Sequence, residues 1–182
     1  MAGVDYDAVV LAGGQAHRFG GQDKPGALVG GRSLIARVAA AVPDAARLIV
    51  VGPERPDLPP ALFVREDPPG SGPIPALRTG LAEVRSPRLV LLAADLPFLR
   101  YEQVMMLLDA ADAVLVDSTG REQWLTGAWH TGRLRDALAG YEGASLRGLL
   151  VPLNPARVPV AEDWFDCDTP AELERARTIE ET

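Results

Sequence analysis

The sequence predicts a three-layer α/β/α sandwich on a mostly parallel sheet, because short wholly apolar runs alternate with stretches of helical periodicity. Ala8-Val9-Val10-Leu11, Leu48-Ile49-Val50-Val51 and Leu89-Val90-Leu91-Leu92 are such runs. Unbroken apolar character belongs to strands buried on both faces, the condition of parallel strands covered by helices. Two of these runs end in polar or glycine-rich sequence, at Gly13-Gly14 and at Asp95. In open α/β sheets that carboxyl edge is where ligands bind.

The remaining elements follow in order. The first strand opens into a glycine-rich loop running from about Ala12 to Arg32. Ser33 is the expected N-cap of a helix carrying Leu34, Ile35, Val38 and Ala41, stopped by Pro43. After the second buried run, Leu62-Phe63-Val64 reads as a short strand, and Arg65 to Pro73 as a proline- and glycine-rich loop. Ile74, Leu77, Leu81 and Val84 recur at spacings of three and four, predicting a helix. Beyond the third run, Tyr101 to Asp109 reads as a helix, Ala113 to Val116 and Gln123 to Trp129 as strands, and Thr131 to Ala139 as a helix. Val158-Pro159-Val160 and Trp164-Phe165 read as short strands, the proline placing the first near a sheet edge. Thr169 as N-cap and Pro170 in the first turn open a last helix.

Bulk properties narrow the class. The chain has 182 residues, enough for a single domain spanning 1–182 that buries about 70% of its extended-chain surface. A net charge of -7 argues against a general nucleic-acid binder, which carries a basic face. A phosphate site remains compatible with it, because backbone N–H groups and a few local cations suffice. The single cysteine, Cys167, excludes an intramolecular disulfide and fits a reducing compartment. With no charged leader and no long apolar stretch, the expectation is a cytoplasmic protein without a membrane partner.

The richest chemistry lies in the first loop, Leu11-Ala12-Gly13-Gly14-Gln15-Ala16-His17-Arg18-Phe19-Gly20-Gly21-Gln22-Asp23-Lys24. Its glycines let the backbone approach a ligand closely, and successive N–H groups can cradle phosphate oxygens. Arg18 and Lys24 add positive charge to the same loop. The loop fits neither the Walker pattern, since Pro25 follows Lys24, nor Gly-x-Gly-x-x-Gly. His17 and His130 form no convincing metal or triad arrangement, and Cys167 reads as a buried small residue. Trp124, Trp129 and Trp164 read either as core or as the lining of a pocket.

Leu11-Ala12-Gly13-Gly14, Arg18 and Gly20-Gly21-x-Asp23-Lys24 resemble the signature loop of the molybdenum cofactor guanylyltransferases of the MobA type. Glu66-Asp67 with Gly72-Pro73-Ile74-Pro75-Ala76-Leu77 is similar to that family's acidic pair and Gly-Pro-Leu-Ala stretch. Ala94-Asp95-Leu96-Pro97-Phe98 is similar to its Cys-Asp-x-Pro-Phe/Tyr motif, and Asp166 to Leu173 to its closing Asn/Asp-Thr-Pro-Glu-Leu segment. The resemblance implies a Rossmann-like sheet of the nucleotide-diphospho-sugar transferase kind and transfer of GMP from GTP to the molybdopterin cofactor, with magnesium. It also implies docking to other proteins of molybdenum cofactor assembly.

By the same resemblance, Leu11, Ala12, Gly13 and Gly14 contact the nucleotide, and Lys24 and Arg18 neutralise charge on its phosphates. Asp67 would contact the nucleoside, unless it only organises its turn. Asp95 would hold Mg2+ bridging the triphosphate; the other reading is a cap or turn residue before Pro97. Asp168 reads equally as a second metal ligand or as a cap before Thr169-Pro170.

Three positions depart from the family pattern. Phe19 replaces a methionine, Gly52-Pro53 stands where many relatives have an asparagine, and Gln123 to Gly127 stands where they have a His-Pro segment. These differences keep other pairs of substrates open: CTP with molybdopterin, GTP with phospholactate, or a nucleotide with a sugar phosphate. An idle nucleotide-binding subunit is the reading from another class.

Overall fold

The computed structural model describes residues 5–13, 23–160 and 165–180. Its centre is a seven-stranded sheet of β1 (Tyr6–Leu11), β4 (Arg47–Val51), β5 (Leu62–Val64), β6 (Arg88–Ala93), β7 (Ala113–Val116), β8 (Glu122–His130) and β9 (Ala156–Pro159). The spatial order is β5-β4-β1-β6-β8-β7-β9. The four strands β5, β4, β1 and β6 run parallel, as the apolar runs require. Strand β8 is antiparallel to both β6 and β7, while β9 returns parallel to β7 as the edge strand that Pro159 permits.

Helices cover both faces. Val38, Leu107 and Val104, from α1 (Leu34–Ala40) and α3 (Tyr101–Asp109), pack with Ala8, Val10 and Leu92 on one face. Leu77, Leu134 and Leu149, from α2 (Pro73–Glu83), α4 (Thr131–Ala139) and α5 (Leu146–Leu150), pack with Val9, Ile49 and Leu91 on the other. Alternate residues of one strand thus feed opposite cores. Helix α2 comes so close to the sheet that a Cβ on Gly80 would lie 2.7 Å from Val9 Cγ1 and 2.9 Å from Val51 Cγ2.

Two small elements inside the long first loop were not expected. A 3-10 turn spans Lys24–Gly26, and a hairpin pairs β2 (Leu28–Val29) with β3 (Arg32–Ser33). Ser33 caps α1 as expected, its hydroxyl accepting from Ala36 N at 3.2 Å. The final helix, α6 (Pro170–Glu180), packs on this hairpin, burying Leu173 and Ala176 with Val29, Leu34 and Cys167. Thr169 caps α6: its N–H donates to the Glu172 carboxylate at 2.8 Å, and its Oγ1 accepts from Glu172 N at 3.3 Å.

The expected strand at Trp164-Phe165 is corrected in part. Phe165 is in no strand, and Trp164 lies outside the described residues. Phe165 instead stacks against Phe98 at 5.4 Å between centroids, with the Arg175 guanidinium 4.4 Å from its ring centre. Side-chain packing thus holds the segment in place of a ladder. No helix among the described residues is long and apolar enough to cross a membrane.

Candidate active site

The carboxyl ends of β1, β4 and β6 meet at one edge of the sheet. Ala12 N donates to Val51 O at 2.8 Å, so the chain leaving β1 stays in register with β4 for one residue beyond the strand. Gly13 then passes close to Glu66, and a Cβ there would lie 3.1 Å from Glu66 Oε1. Gly72, with φ of +110°, turns the chain into α2 from a backbone conformation that side chains rarely adopt.

These segments enclose a cavity of about 560 Å³ lined by Leu11, Ala12, Gly13, Lys24, Glu66 and Asp95, with Gly72 and Pro73 at the start of α2. The N-terminus of an eleven-residue helix and a lysine on one cavity wall favour an anion. A larger cavity, about 870 Å³, lies between α1 and the Asp57 to Pro60 segment. It is lined by neither Lys24 nor Asp95, so the chemistry points to the smaller one.

Lys24 is the hub of the charged groups. Its ammonium forms an ion pair with Asp95 Oδ2 and donates to Asp168 Oδ1 at 2.7 Å. Burial works against this charge, but the Asp95 and Asp168 carboxylates outweigh it and hold the lysine above its usual range. Burial pushes the Asp95 carboxyl up, and Lys24 offsets that in part. Asp95 Oδ1 is buried with no hydrogen-bond partner among the described residues, as is Glu66 Oε2. A buried oxygen of this kind calls for a bound group to complete it.

The C-terminal segment is stitched to the same place. Cys167 N donates to Asp95 O at 3.0 Å. Arg37 links α1, the hairpin, the loop after β6 and α6: it donates to Pro97 O at 2.9 Å and Val29 O at 3.1 Å, and pairs with Glu180 at 2.5 Å. Cys167 is fully buried and its thiol is pushed up to about 12, chiefly by burial, so it is no nucleophile.

A second cavity, about 360 Å³, lies on the other side of Asp95. It is lined by Gln123, Trp124, Arg121, Arg147, Asp166 and Asp168. Ala93, Asp95 and Leu125 line both cavities, so the two open on the same carboxylate.

The MobA-like NTP transferase domain, as a protein family, matches residues 8–157, from β1 into β9. The chain belongs to this family.

Curated relatives of the MobA-like chain include a probable molybdenum cofactor guanylyltransferase of Natronomonas pharaonis, 30% identical, covering 93% of this chain and 95% of its own. A molybdenum cofactor guanylyltransferase of a Bradyrhizobium species is also 30% identical, covering 91% and 93%. Among solved structures, a nucleotidyl transferase from Methanothermobacter superposes with a TM-score of 0.77 at 21% identity, covering 98% of each chain, a likeness of fold. As a MobA-like NTP transferase the chain is a nucleotidyltransferase, and the α/β sandwich read from the sequence is its fold.

Of the site residues expected for this MobA-like chain, Leu11, Ala12, Gly13, Lys24 and Asp95 come together around one cavity. Gly14, His17 and Arg18 lie outside the described residues. Asp67 is exposed and does not line the cavity. Its neighbour Glu66 turns inward, where Gly70 N donates to its Oε1 at 2.8 Å. The acidic pair was visible in the sequence, but nothing in it said which member faces the ligand. Asp168 neither caps α6, a task taken by Thr169, nor stands apart from the site. Trp129 is wholly buried in the core, whereas Trp124 lines the second cavity. Arg121 and Arg147 had no signal in the sequence beyond their charge.

Proposed function

We propose that this MobA-like NTP transferase moves GMP from GTP to the terminal phosphate of the molybdopterin cofactor, releasing pyrophosphate. The observation that carries the reading is Lys24 paired with Asp95 between a glycine-lined cavity and a second, arginine-bearing one. The names of the relatives at 30% identity support the choice of GTP and of this acceptor.

In this reading GTP lies in the first cavity, against the backbone of Leu11, Ala12 and Gly13, with Glu66 facing the nucleoside. The α2 N-terminus and Lys24 face its phosphates, and Gly14 and Arg18 keep the phosphate-binding roles that the family resemblance implies. The acceptor phosphate lies in the second cavity, near Arg121 and Arg147, with Trp124 offering a flat apolar surface. One acceptor oxygen attacks the α-phosphorus, the bond from that phosphorus to the β-bridging oxygen breaks, and pyrophosphate departs with its electron pair. The attacking phosphate is already ionised at neutral pH, so no strong general base is required. Lys24 meets the charge that develops on the leaving group.

Asp95 and Asp168 fit the hard oxygen chemistry of magnesium, and the orphaned Asp95 Oδ1 is a ready donor. Among the described residues no group of three or more His, Cys, Asp or Glu side chains is arranged to hold a metal. Phosphate oxygens and water would therefore complete its shell. Bound there, the ion supplies charge neutralisation at the α-phosphate. The docking to cofactor-assembly proteins and the cytoplasmic setting belong to this same reading.

The test is calorimetric titration with GTP, ATP and CTP, each with and without magnesium. Magnesium-dependent binding of GTP in preference to the others supports the reading. Preference for CTP makes the chain a cytidylyltransferase, and no binding of any nucleotide removes the assignment.

A further inference from the structure

We infer that Lys24 is a stand-in cation: in the nucleotide-free protein its ammonium holds the place between Asp95 and Asp168 that a divalent ion takes once a nucleoside triphosphate arrives. The inference rests on the proposed function for the identity of the incoming group. Its consequence is that the protein excludes metal alone and admits metal and nucleotide together.

One nitrogen touches carboxylates from two distant parts of the chain, Asp95 at the end of β6 and Asp168 before α6. A cation held by the same two carboxylates would compete with that nitrogen for them. Asp166 lines the second cavity with both of them. Lys24 supplies the positive charge between Asp95 and Asp168 when no ligand is bound.

The exchange is mechanically simple. The Lys24 backbone is fixed in its 3-10 turn, where Ala27 N donates to Lys24 O at 3.0 Å, so the flexible four-carbon stem can carry the movement alone. A divalent ion arriving by itself must displace the ammonium from both carboxylates. A triphosphate changes the balance by offering the ammonium new oxygens in the adjoining cavity, while the metal neutralises the acids it leaves. The lysine thus couples the two ligands, and the coupling acts equally in both directions.

The experiment titrates Mn2+, without nucleotide, into the full chain and into Lys24→Met, Lys24→Gln and Lys24→Arg, reading free Mn2+ by electron paramagnetic resonance. Both neutral variants are expected to bind Mn2+ at least about fivefold more tightly than wild type, the lower end of common coupling between sites. Lys24→Arg keeps the charge and stays weak. Adding Asp95→Asn to Lys24→Met removes the gain. Neutral variants that bind no tighter than wild type, or a gain that survives Asp95→Asn, overturn the inference. Should Lys24→Met prove too unstable to titrate, Lys24→Gln, which can still hydrogen-bond the carboxylates, gives the same answer. Tightened Mn2+ binding in the variants, with no GTP binding by wild type, would instead overturn the proposed function and leave the stand-in role intact.

Discussion

The Lys24 ammonium and the Asp168 carboxylate, 144 positions apart in sequence, meet at 2.7 Å. The contact is built by the hairpin β2–β3, which follows Lys24 and carries α6, so that the residues just before α6 are laid across the site. In the proposed function Asp168 is one of the two carboxylates that would hold the metal, and Lys24 occupies it until the nucleotide arrives. Asp168→Asn is expected to lower turnover by roughly ten- to a hundredfold, the scale on which loss of a carboxylate supporting a metal acts, with little change in Tm. A purely structural Asp168 would show the reverse, a lower Tm and near-normal turnover in the folded fraction.

Glu66 and Asp67 are neighbours with opposite surroundings, one buried and one exposed. Glu66 Oε2 is buried beside the cavity without a hydrogen-bond partner among the described residues. Glu66→Gln places an amide donor there and is expected to weaken GTP binding about tenfold, the cost of one hydrogen bond to a charged group. Asp67→Ala should leave the affinity within about twofold, since surface changes of this kind cost little. Calorimetry on both variants checks the pair.

Arg147 faces the second cavity from α5, away from the lining of the first. Arg147→Ala is expected to raise the acceptor KM about tenfold or more, through loss of a charge-assisted hydrogen bond. The affinity for GTP should be unchanged. Steady-state kinetics with each substrate varied in turn separates the two effects.

Much of this arrangement could be read in the sequence, and the parts that could not have a physical cause. Val9, Val50 and Leu91 lie in unbroken apolar runs, and all three are wholly buried. Such a pattern has one good solution, a strand covered on both faces. Helices with strong periodicity or a cap, as at Ile74-Leu77-Leu81 and at Ser33, were equally clear. The antiparallel direction of β8 was not, because alternation fixes which face a side chain takes and not which way its strand runs. The hairpin at Leu28 to Ser33 has two-residue strands, and α5 has only five residues, too short for any period to show. Ser145, which caps α5 by accepting from Gly148 N at 3.1 Å, was the one available sign of it. At the site, Lys24 and Asp168 each stood in a recognisable motif, but contact across the whole chain is a property of tertiary packing and leaves no local trace.

Gly80 lies where α2 crosses the sheet, against Val9 and Val51. A methyl group there would have to push two branched side chains of adjacent strands. Gly80→Ala is expected to cost about 1–3 kcal/mol by overpacking, despite the better helix propensity of alanine. Denaturant unfolding measures it, and an unchanged midpoint would mean that α2 sits farther from the sheet.

Tyr6, at the start of β1, is 2% exposed, and its hydroxyl has no hydrogen-bond partner among the described residues. Burial, with Asp44 and then Tyr101 adding to it, pushes this hydroxyl from 10.0 up to about 12. Below the lower value both folded and unfolded chains keep the proton. Between the two values the unfolded chain ionises first, so stability falls as pH rises through that window, by up to about 3 kcal/mol. Tyr6→Phe should flatten that alkaline loss and leave stability at neutral pH equal or higher, as chemical denaturation across pH will show.

The central claim is that Lys24 and Asp95 serve nucleotidyl transfer from the first cavity to an acceptor in the second. Its most direct test is pyrophosphate release from GTP and magnesium with molybdopterin as acceptor, measured on wild type and on Lys24→Ala and Asp95→Ala. The account predicts release that requires the acceptor and falls by roughly a hundredfold or more in each variant, the scale of losing one main electrostatic contact to the transition state. Acceptor-dependent release that persists in both variants would contradict it.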